Sequence, residues 1–242
     1  MTATTSASAL LDSTSPKVFS LIVAAGKGSR FGSDIPKQYT PVHSKTILQQ
    51  SVTALAASSY IQQLLLVIAQ DDSVAKGLDF SLPVTFTEGG AERWQSVQAG
   101  VEAVFAAGAK DDDLILIHDA ARPCVLAKHI DLVIEAAMQH PYGAILGVPV
   151  ADTLKKVSVE GDIQATIDRS SLWQAQTPQV FRAAKLRQVL SYVAGNGLMI
   201  TDEASAFEAM GHAIKIVPGN NQNLKLTYAE DLTLIESILS SR

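Results

Sequence analysis

Hydrophobic residues run through this chain in short unbroken blocks. VFSLIVAA from Val18, QLLLVIA at 63–69, DLILIHDA at 113–120 and GAILGVPV at 143–150 are apolar with little alternation. That is the pattern of strands covered on both faces. VTFTEGG adds a shorter strand. Between them, TILQQSVTALAAS, ERWQSVQAGVEAVFAAG (ending at Gly108) and AKHIDLVIEAAMQH carry apolar residues at helical spacing. Buried strands alternating with such helices predict an α/β fold with a mostly parallel sheet and helices on both faces.

The rhythm breaks at 152–169. DTLKKVSVEGDIQATIDR alternates apolar and polar residues around Glu160-Gly161-Asp162, which predicts a β-hairpin, an arm if it projects. Its apolar face (Val157, Val159, Ile163, Ala165, Ile167) either packs on its own domain or pairs with a second copy. Beyond it, LWQAQTPQVFR is extended. AAKLRQVLSYVAGNG and TDEASAFEAMG read as helices, AIKIVPG as a strand and AEDLTLIESILSS as a closing helix. Residues 17–242 are expected to form a single domain, preceded by a Ser/Thr/Ala-rich disordered tail over 1–16.

Composition narrows the function classes. With 242 residues, 47% hydrophobic and 18% charged, the chain can bury a sizeable core. A net charge of −5 disfavours a nucleic-acid partner but leaves small anionic ligands open. The single cysteine, Cys124, excludes an internal disulfide and a thiolate zinc cluster, and a reducing, cytoplasmic setting fits. No apolar run reaches the ~20 residues that span a bilayer, so no membrane partner is expected. The N-terminal stretch has neither a basic segment followed by an apolar one nor the arginines of a transit peptide.

In open α/β sheets ligands sit beyond the carboxyl ends of the strands. That filter selects Gly26–Arg30, Glu88–Arg93, Asp119–Arg122, Asp152–Thr153 and the segment after Ile216. The first loop, AAGKGSRFG, is not a Walker loop. It fails the dinucleotide fingerprint because Phe31 stands where the third glycine belongs, which disfavours a dehydrogenase. Its backbone N–H groups can face phosphate oxygens, with Lys27, Arg30 and Lys37 adding charge. In EGGAERWQS, Gly89-Gly90 permits either close approach of a flat ligand or a simple turn. Arg93 and Ser96 can face one site from the following helix. In HDAARP, Asp119 can bind Mg²⁺ and Arg122 a phosphate, or the two can merely tie the loop together. His118 reads as a packed strand residue, Cys124 as a filler, Thr201 as a helix N-cap and Lys225 as part of a solvated face.

Taken in order, AAGKGSRFGSDIPKQY, EGGAERWQSV, HDAARP, DTLKKV, TIDRSSLWQAQTPQVF, TDEASAFE and NLKLT resemble one family over nearly the whole chain. It is the 2-C-methyl-D-erythritol 4-phosphate cytidylyltransferases of the non-mevalonate isoprenoid pathway. The resemblance implies a Rossmann-like homodimer in which a β-arm from each subunit reaches the other's site. It implies Mg²⁺-dependent transfer of CMP from CTP to an alcohol phosphate. By matched motif, Arg30, Lys37 and Lys225 are implied as catalytic cations. Ala24, Ala25, Gly26 and Gly28 would wrap the nucleotide, and Gly90, Ala91 and Ser96 would read cytosine. Asp119 would sit by the metal, nucleotide and substrate hydroxyls. Arg122, Thr153, Thr177 and Thr201 would form the alcohol-phosphate pocket, with Arg169 given across the dimer.

Two positions depart from or qualify the pattern. Ala91 stands where family members often carry Asp, and Lys27 is not among the cations the resemblance marks as essential. A ribitol 5-phosphate cytidylyltransferase would share the first and third blocks. A non-catalytic nucleotide-binding regulator on the same fold is the alternative from another class, but it would not need Arg30, Lys37 and Lys225 together.

Overall fold

The computed structural model describes residues 15–26, 31, 32 and 35–242. Most of the expected tail, and Lys27, Gly28 and Arg30 of the first loop, lie outside them. The described chain opens with β1 (Val18–Val23), a 3-10 turn at Lys37–Tyr39, and a small hairpin of β2 (Pro41–Val42) and β3 (Lys45–Thr46). Next come α1 (Ile47–Ala56), β4 (Leu64–Ile68), the short α2 (Ser73–Lys76), β5 (Val84–Glu88) and α3 (Arg93–Ala106). They are followed by β6 (Leu114–Asp119), α4 (Ala127–Gln139), β7 (Gly143–Pro149), β8 (Leu154–Val157), β9 (Ile163–Ile167) and β10 (Trp173–Arg182). The chain closes with α5 (Ala183–Asn196), α6 (Glu203–Ala209), β11 (Lys215–Pro218) and α7 (Asp231–Ser240).

The described strands form a seven-stranded sheet in the order β11-β7-β10-β6-β1-β4-β5. β1 pairs in parallel with β4 on one side and β6 on the other. The strand order therefore reverses at β1, and the carboxyl ends of β1 and β6 flank the crevice where such folds bind ligands. β10 runs antiparallel between β6 and β7, so the sheet is mixed rather than wholly parallel.

The unbroken apolar runs have a direct cause. Leu114 and Leu116 of β6 face one buried cluster with Leu48, Val52 and Leu55 of α1 and Ile130, Val133 and Ile134 of α4. Ile115 and Ile117 face the opposite cluster with Val97 and Val101 of α3, Leu186 and Leu190 of α5, and Phe207 of α6. Alternate residues thus enter different helical layers, and none can be polar without cost. A third cluster seats α7: Ile235 and Ile238 pack with Val42, Ile47, Cys124 and Leu226. Cys124 is fully buried, and burial pushes its thiol up to about 11. Folded protein at pH 8 should therefore resist thiol alkylation that proceeds readily after denaturation; rapid native labelling would contradict this seat.

Helix boundaries follow local chemistry. Thr46 caps α1 in a reciprocal box with Gln49. α6 is shorter than its sequence pattern suggests, and its N-cap is Asp202, whose carboxylate accepts from the Ser205 N–H. Thr201 therefore does not take the capping role expected of it.

The arm is a separate two-stranded unit of β8 and β9. Its turn needs Gly161, at φ +95°, where a side chain would be strained. Val157, Val159 and Ile163 are 54%, 101% and 67% exposed. These three apolar side chains are not covered by their own domain.

Candidate active site

Three chain segments converge at the carboxyl ends of β1 and β6. After β1, the Ala24 N–H donates to the Val67 carbonyl, and the Ala24 carbonyl accepts from buried Gln38 Nε2 at 2.8 Å. Gln38 thereby pins the 3-10 turn, and with it Lys37, beside the loop. At Gly26 an added Cβ would meet nothing within 4 Å, so glycine there leaves open space at the wall of a cavity. That cavity, of about 220 Å³, is lined by Ala24, Ala25, Gly26, Lys37, Gln38, Gly90, Ala91, Arg93, Ser96, Asp119 and Lys225 among others.

The turn from β5 into α3 forms the opposite wall. A Cβ at Gly89 would fall 2.6 Å from Ser96 Oγ and 2.7 Å from Ala25 Cβ; at Gly90 it would fall 2.5 Å from Gln95 Cβ. The two glycines are thus required by packing of the turn against its own helix. The Gly90 N–H donates to Ser96 Oγ at 3.2 Å, which fixes the loop that carries Ala91.

Asp119 ends β6 and is the electrostatic centre. Its Oδ2 lies 2.7 Å from Lys225 Nζ and 3.8 Å from Arg122 Nε, and its Oδ1 lies 3.2 Å from Arg93 Nη2. Burial alone would raise its pKa. The charges of Arg93, Lys225 and Arg122 outweigh that and hold the carboxyl well below the usual carboxylate range. Arg93 also grips Glu203 of α6 through Nη1–Oε1 at 2.5 Å and Nη2–Oε2 at 3.1 Å. Glu203 is fully buried; burial raises its pKa, and Arg93 opposes the rise. Lys37 Nζ donates to the Leu226 carbonyl at 2.6 Å. Among the described residues, Arg93, Arg122 and Lys225 thus gather around Asp119, with Arg93 shared with Glu203, in a chain whose net charge is −5. Such a patch suits a polyanionic ligand.

A second cavity of about 400 Å³ adjoins the first through Lys225. Arg122, Ala151, Asp152, Gln174, Gln176, Asn221 and Asn223 line it with others. The structure thus gathers most of the expected nucleotide-binding residues, together with Lys37, Asp119 and Lys225, around one cavity. It puts Arg122 at the neighbouring one. Lys225 is not a solvated-face residue, because its ammonium pairs with Asp119.

Thr153, Arg169, Thr177 and Thr201 line neither cavity. Thr153 is exposed beside the arm. Arg169, at the arm's base, donates from Nη1 to its own Ala151 carbonyl. Thr177 is buried behind Asp119, accepting from the Asp119 N–H at 3.1 Å. His118 is also wholly buried, and burial pushes its imidazole down to about 4, so it is neutral near pH 7.

Sequence reasoning picked out Arg93 as able to face a site but gave it no role there, and it missed Gln38 and Glu203. Nothing local marks Glu203, because its partner Arg93 lies 110 residues away.

Comparison with known proteins turns this geometry into a family. Residues 18–241 match IspD, 2-C-methyl-D-erythritol 4-phosphate cytidylyltransferase. The chain belongs to this family. A protein of that name from Psychrobacter arcticus is 52% identical over 262 residues, spanning 95% of this chain and 93% of its own. A crystal structure of 4-diphosphocytidyl-2C-methyl-D-erythritol synthase is similar at a TM-score of 0.81 and 36% identity, covering 93% of this chain and 99% of its own. The 2-C-methyl-D-erythritol 4-phosphate cytidylyltransferase of Thermus thermophilus is similar at a TM-score of 0.77 and 30% identity, with 93% and 99% covered. A cavity with clustered cations at its wall agrees with membership in a cytidylyltransferase family.

Proposed function

We propose that this IspD-family chain transfers CMP from CTP to 2-C-methyl-D-erythritol 4-phosphate, giving 4-diphosphocytidyl-2-C-methyl-D-erythritol and pyrophosphate. The observation that carries the reading is the cation cluster around Asp119, at the junction of the two cavities and shared through Lys225. CTP occupies the smaller cavity, with its triphosphate toward Lys37. The alcohol phosphate occupies the larger one, beside Arg122 and Lys225.

A phosphate monoester with a second pKa near 6 is already largely dianionic at neutral pH. It attacks the α-phosphorus of CTP without a general base, the new P–O bond forming as the bond to pyrophosphate breaks. The barrier is charge: two anions must approach, and negative charge spreads over the transferring phosphoryl group. Cations held before the substrates arrive lower that barrier, because they need no reorganisation. Arg93 and Arg122 keep Asp119 ionised and oriented, and Lys225 is held at the junction by its pair with Asp119.

Magnesium would find one carboxylate here, Asp119, whose oxygens also pair with Arg93 and Lys225, so substrate phosphates would supply most of its ligands. One ionised carboxylate is what Mg²⁺ takes from a protein when phosphates supply most other ligands. Asp119 would hold it together with CTP, and when bound the ion neutralises triphosphate charge.

The test follows the atoms. With ¹⁸O in the phosphate of the alcohol substrate, label should appear in the phosphate next to the alcohol in the product and be absent from pyrophosphate. Label in pyrophosphate would refute this direction of attack.

The exposed apolar arm supports a homodimer in which Arg169 serves the partner's site. Arg169→Ala should raise KM for the alcohol phosphate and leave CTP binding nearly unchanged. Co-expressed Arg169→Ala and Lys37→Ala chains should regain activity, because one site of each mixed dimer would carry an intact Lys37 and an intact arm. Failure of a verified mixed dimer to recover would place Arg169's action within its own subunit.

A further inference from the structure

Beneath the substrate-facing groups, four residues from three separated segments close a ring of hydrogen bonds. Arg122 Nη1 donates to the Asn223 carbonyl at 2.7 Å. Asn223 Nδ2 donates to the Thr177 carbonyl at 2.9 Å. Thr177 Oγ1 lies 3.0 Å from His118 Nδ1, and His118 Nε2 lies 2.9 Å from the Arg122 carbonyl. His118, Thr177 and Asn223 are 0%, 4% and 2% exposed.

The direction of each link follows from donor and acceptor chemistry. A carbonyl can only accept, so His118 Nε2 carries the proton toward Arg122. The acceptor within reach of the Thr177 hydroxyl proton is His118 Nδ1, so the hydroxyl donates there and Nδ1 accepts. That hydroxyl's oxygen still has a lone pair for the Asp119 N–H, 3.1 Å away. Asn223 Nδ2 meets a second acceptor, Gln176 Oε1, at 3.1 Å, which fixes the orientation of its amide. Every bond therefore points the same way round: Arg122 to Asn223 to Thr177 to His118 and back to Arg122.

We infer that His118, Thr177 and Asn223 are positioning residues: their closed ring locks the backbone of Asp119 and the guanidinium of Arg122 at the junction of the two cavities. Thr177 supports Asp119 from behind, its hydroxyl oxygen accepting from the Asp119 N–H. The ring joins the end of β6, β10 and the loop after β11. It fixes Asn223 two residues before Lys225, whose following residue accepts from Lys37 through its carbonyl. The consequence for turnover rests on the transfer reaction proposed above; the ring itself rests on geometry alone.

Two measurements test it. Two-bond ¹H–¹⁵N correlation on the wild-type protein should find His118 as the neutral Nε2–H tautomer with Nδ1 hydrogen-bonded. An Nδ1–H tautomer would overturn the ring whatever the enzyme's activity. In kinetics, Thr177→Val keeps shape but removes the hydroxyl, and Thr177→Ser restores it. Thr177→Val should lower kcat/KM for the alcohol phosphate at least about tenfold and shift the His118 Nδ1 signal. Thr177→Ser should recover both. A folded Thr177→Val protein with wild-type kcat/KM, or Thr177→Ser failing to recover the His118 signal, would overturn the positioning role. If wild-type protein lacked transferase activity while His118 kept the expected tautomer, the functional reading would fail and the ring would stand.

Discussion

Asp119→Asn should cost about a thousandfold in turnover and several degrees in Tm together, an unusual combination for one isosteric substitution. Its side chain is only 10% exposed and sits among Arg93, Arg122 and Lys225. Removing the central charge leaves three cations near one another, with Glu203 still paired to Arg93. Breaking a buried ion pair by deleting one partner typically costs about 3–5 kcal/mol. The transfer step suffers further because Lys225 loses the partner that aims it, and the Mg²⁺ concentration needed for half-maximal rate should rise. Thermal unfolding and a magnesium titration of the variant check both parts. Unchanged Tm, with turnover within tenfold of wild type, would remove Asp119 from the centre of the site.

Lys37→Ala should lower kcat by about a hundredfold or more while CTP affinity changes by less than about fivefold. The 3-10 turn and Gln38 hold Lys37 at the cavity wall, and its ammonium donates to the Leu226 carbonyl next to Lys225. In that position one charge can meet negative charge that grows only during phosphoryl transfer. Calorimetric titration with CTP, set beside steady-state rates, separates the two contributions. An equal loss in binding and in turnover would make Lys37 an ordinary ground-state contact.

The alternation of sheet and helices was legible because two-sided burial forces unbroken apolar runs, as in Leu114–Ile117. The direction of β10 was not legible, since a buried strand has the same composition whichever way it runs. The arm could be read from its period of two and its Glu-Gly-Asp turn. What its apolar face does could not be read, because that depends on the domain beneath it. Within the site, Asp119 and Arg122 were visible as polar residues after a strand, and Lys37 as a cation further along the connection that follows β1. The resemblance, rather than residue pattern, brought in Lys225, which local pattern alone assigned to a solvated face. Arg93 with Glu203, and His118 with Thr177 and Asn223, are pairings across 110, 59 and 46 residues. Only the folded chain brings them together. Arg30, implied by the resemblance as a catalytic cation, and Gly28, implied as wrapping the nucleotide, lie outside the described residues.

Pyrophosphate release from CTP and Mg²⁺, with 2-C-methyl-D-erythritol 4-phosphate and ribitol 5-phosphate in parallel, decides which alcohol phosphate the enzyme takes. Release with methylerythritol phosphate, at a kcat/KM at least about a hundredfold above that with ribitol 5-phosphate, is expected; a difference of that size corresponds to about 2.8 kcal/mol between transition states. No release with methylerythritol phosphate, or a preference for ribitol 5-phosphate, would contradict the proposed function.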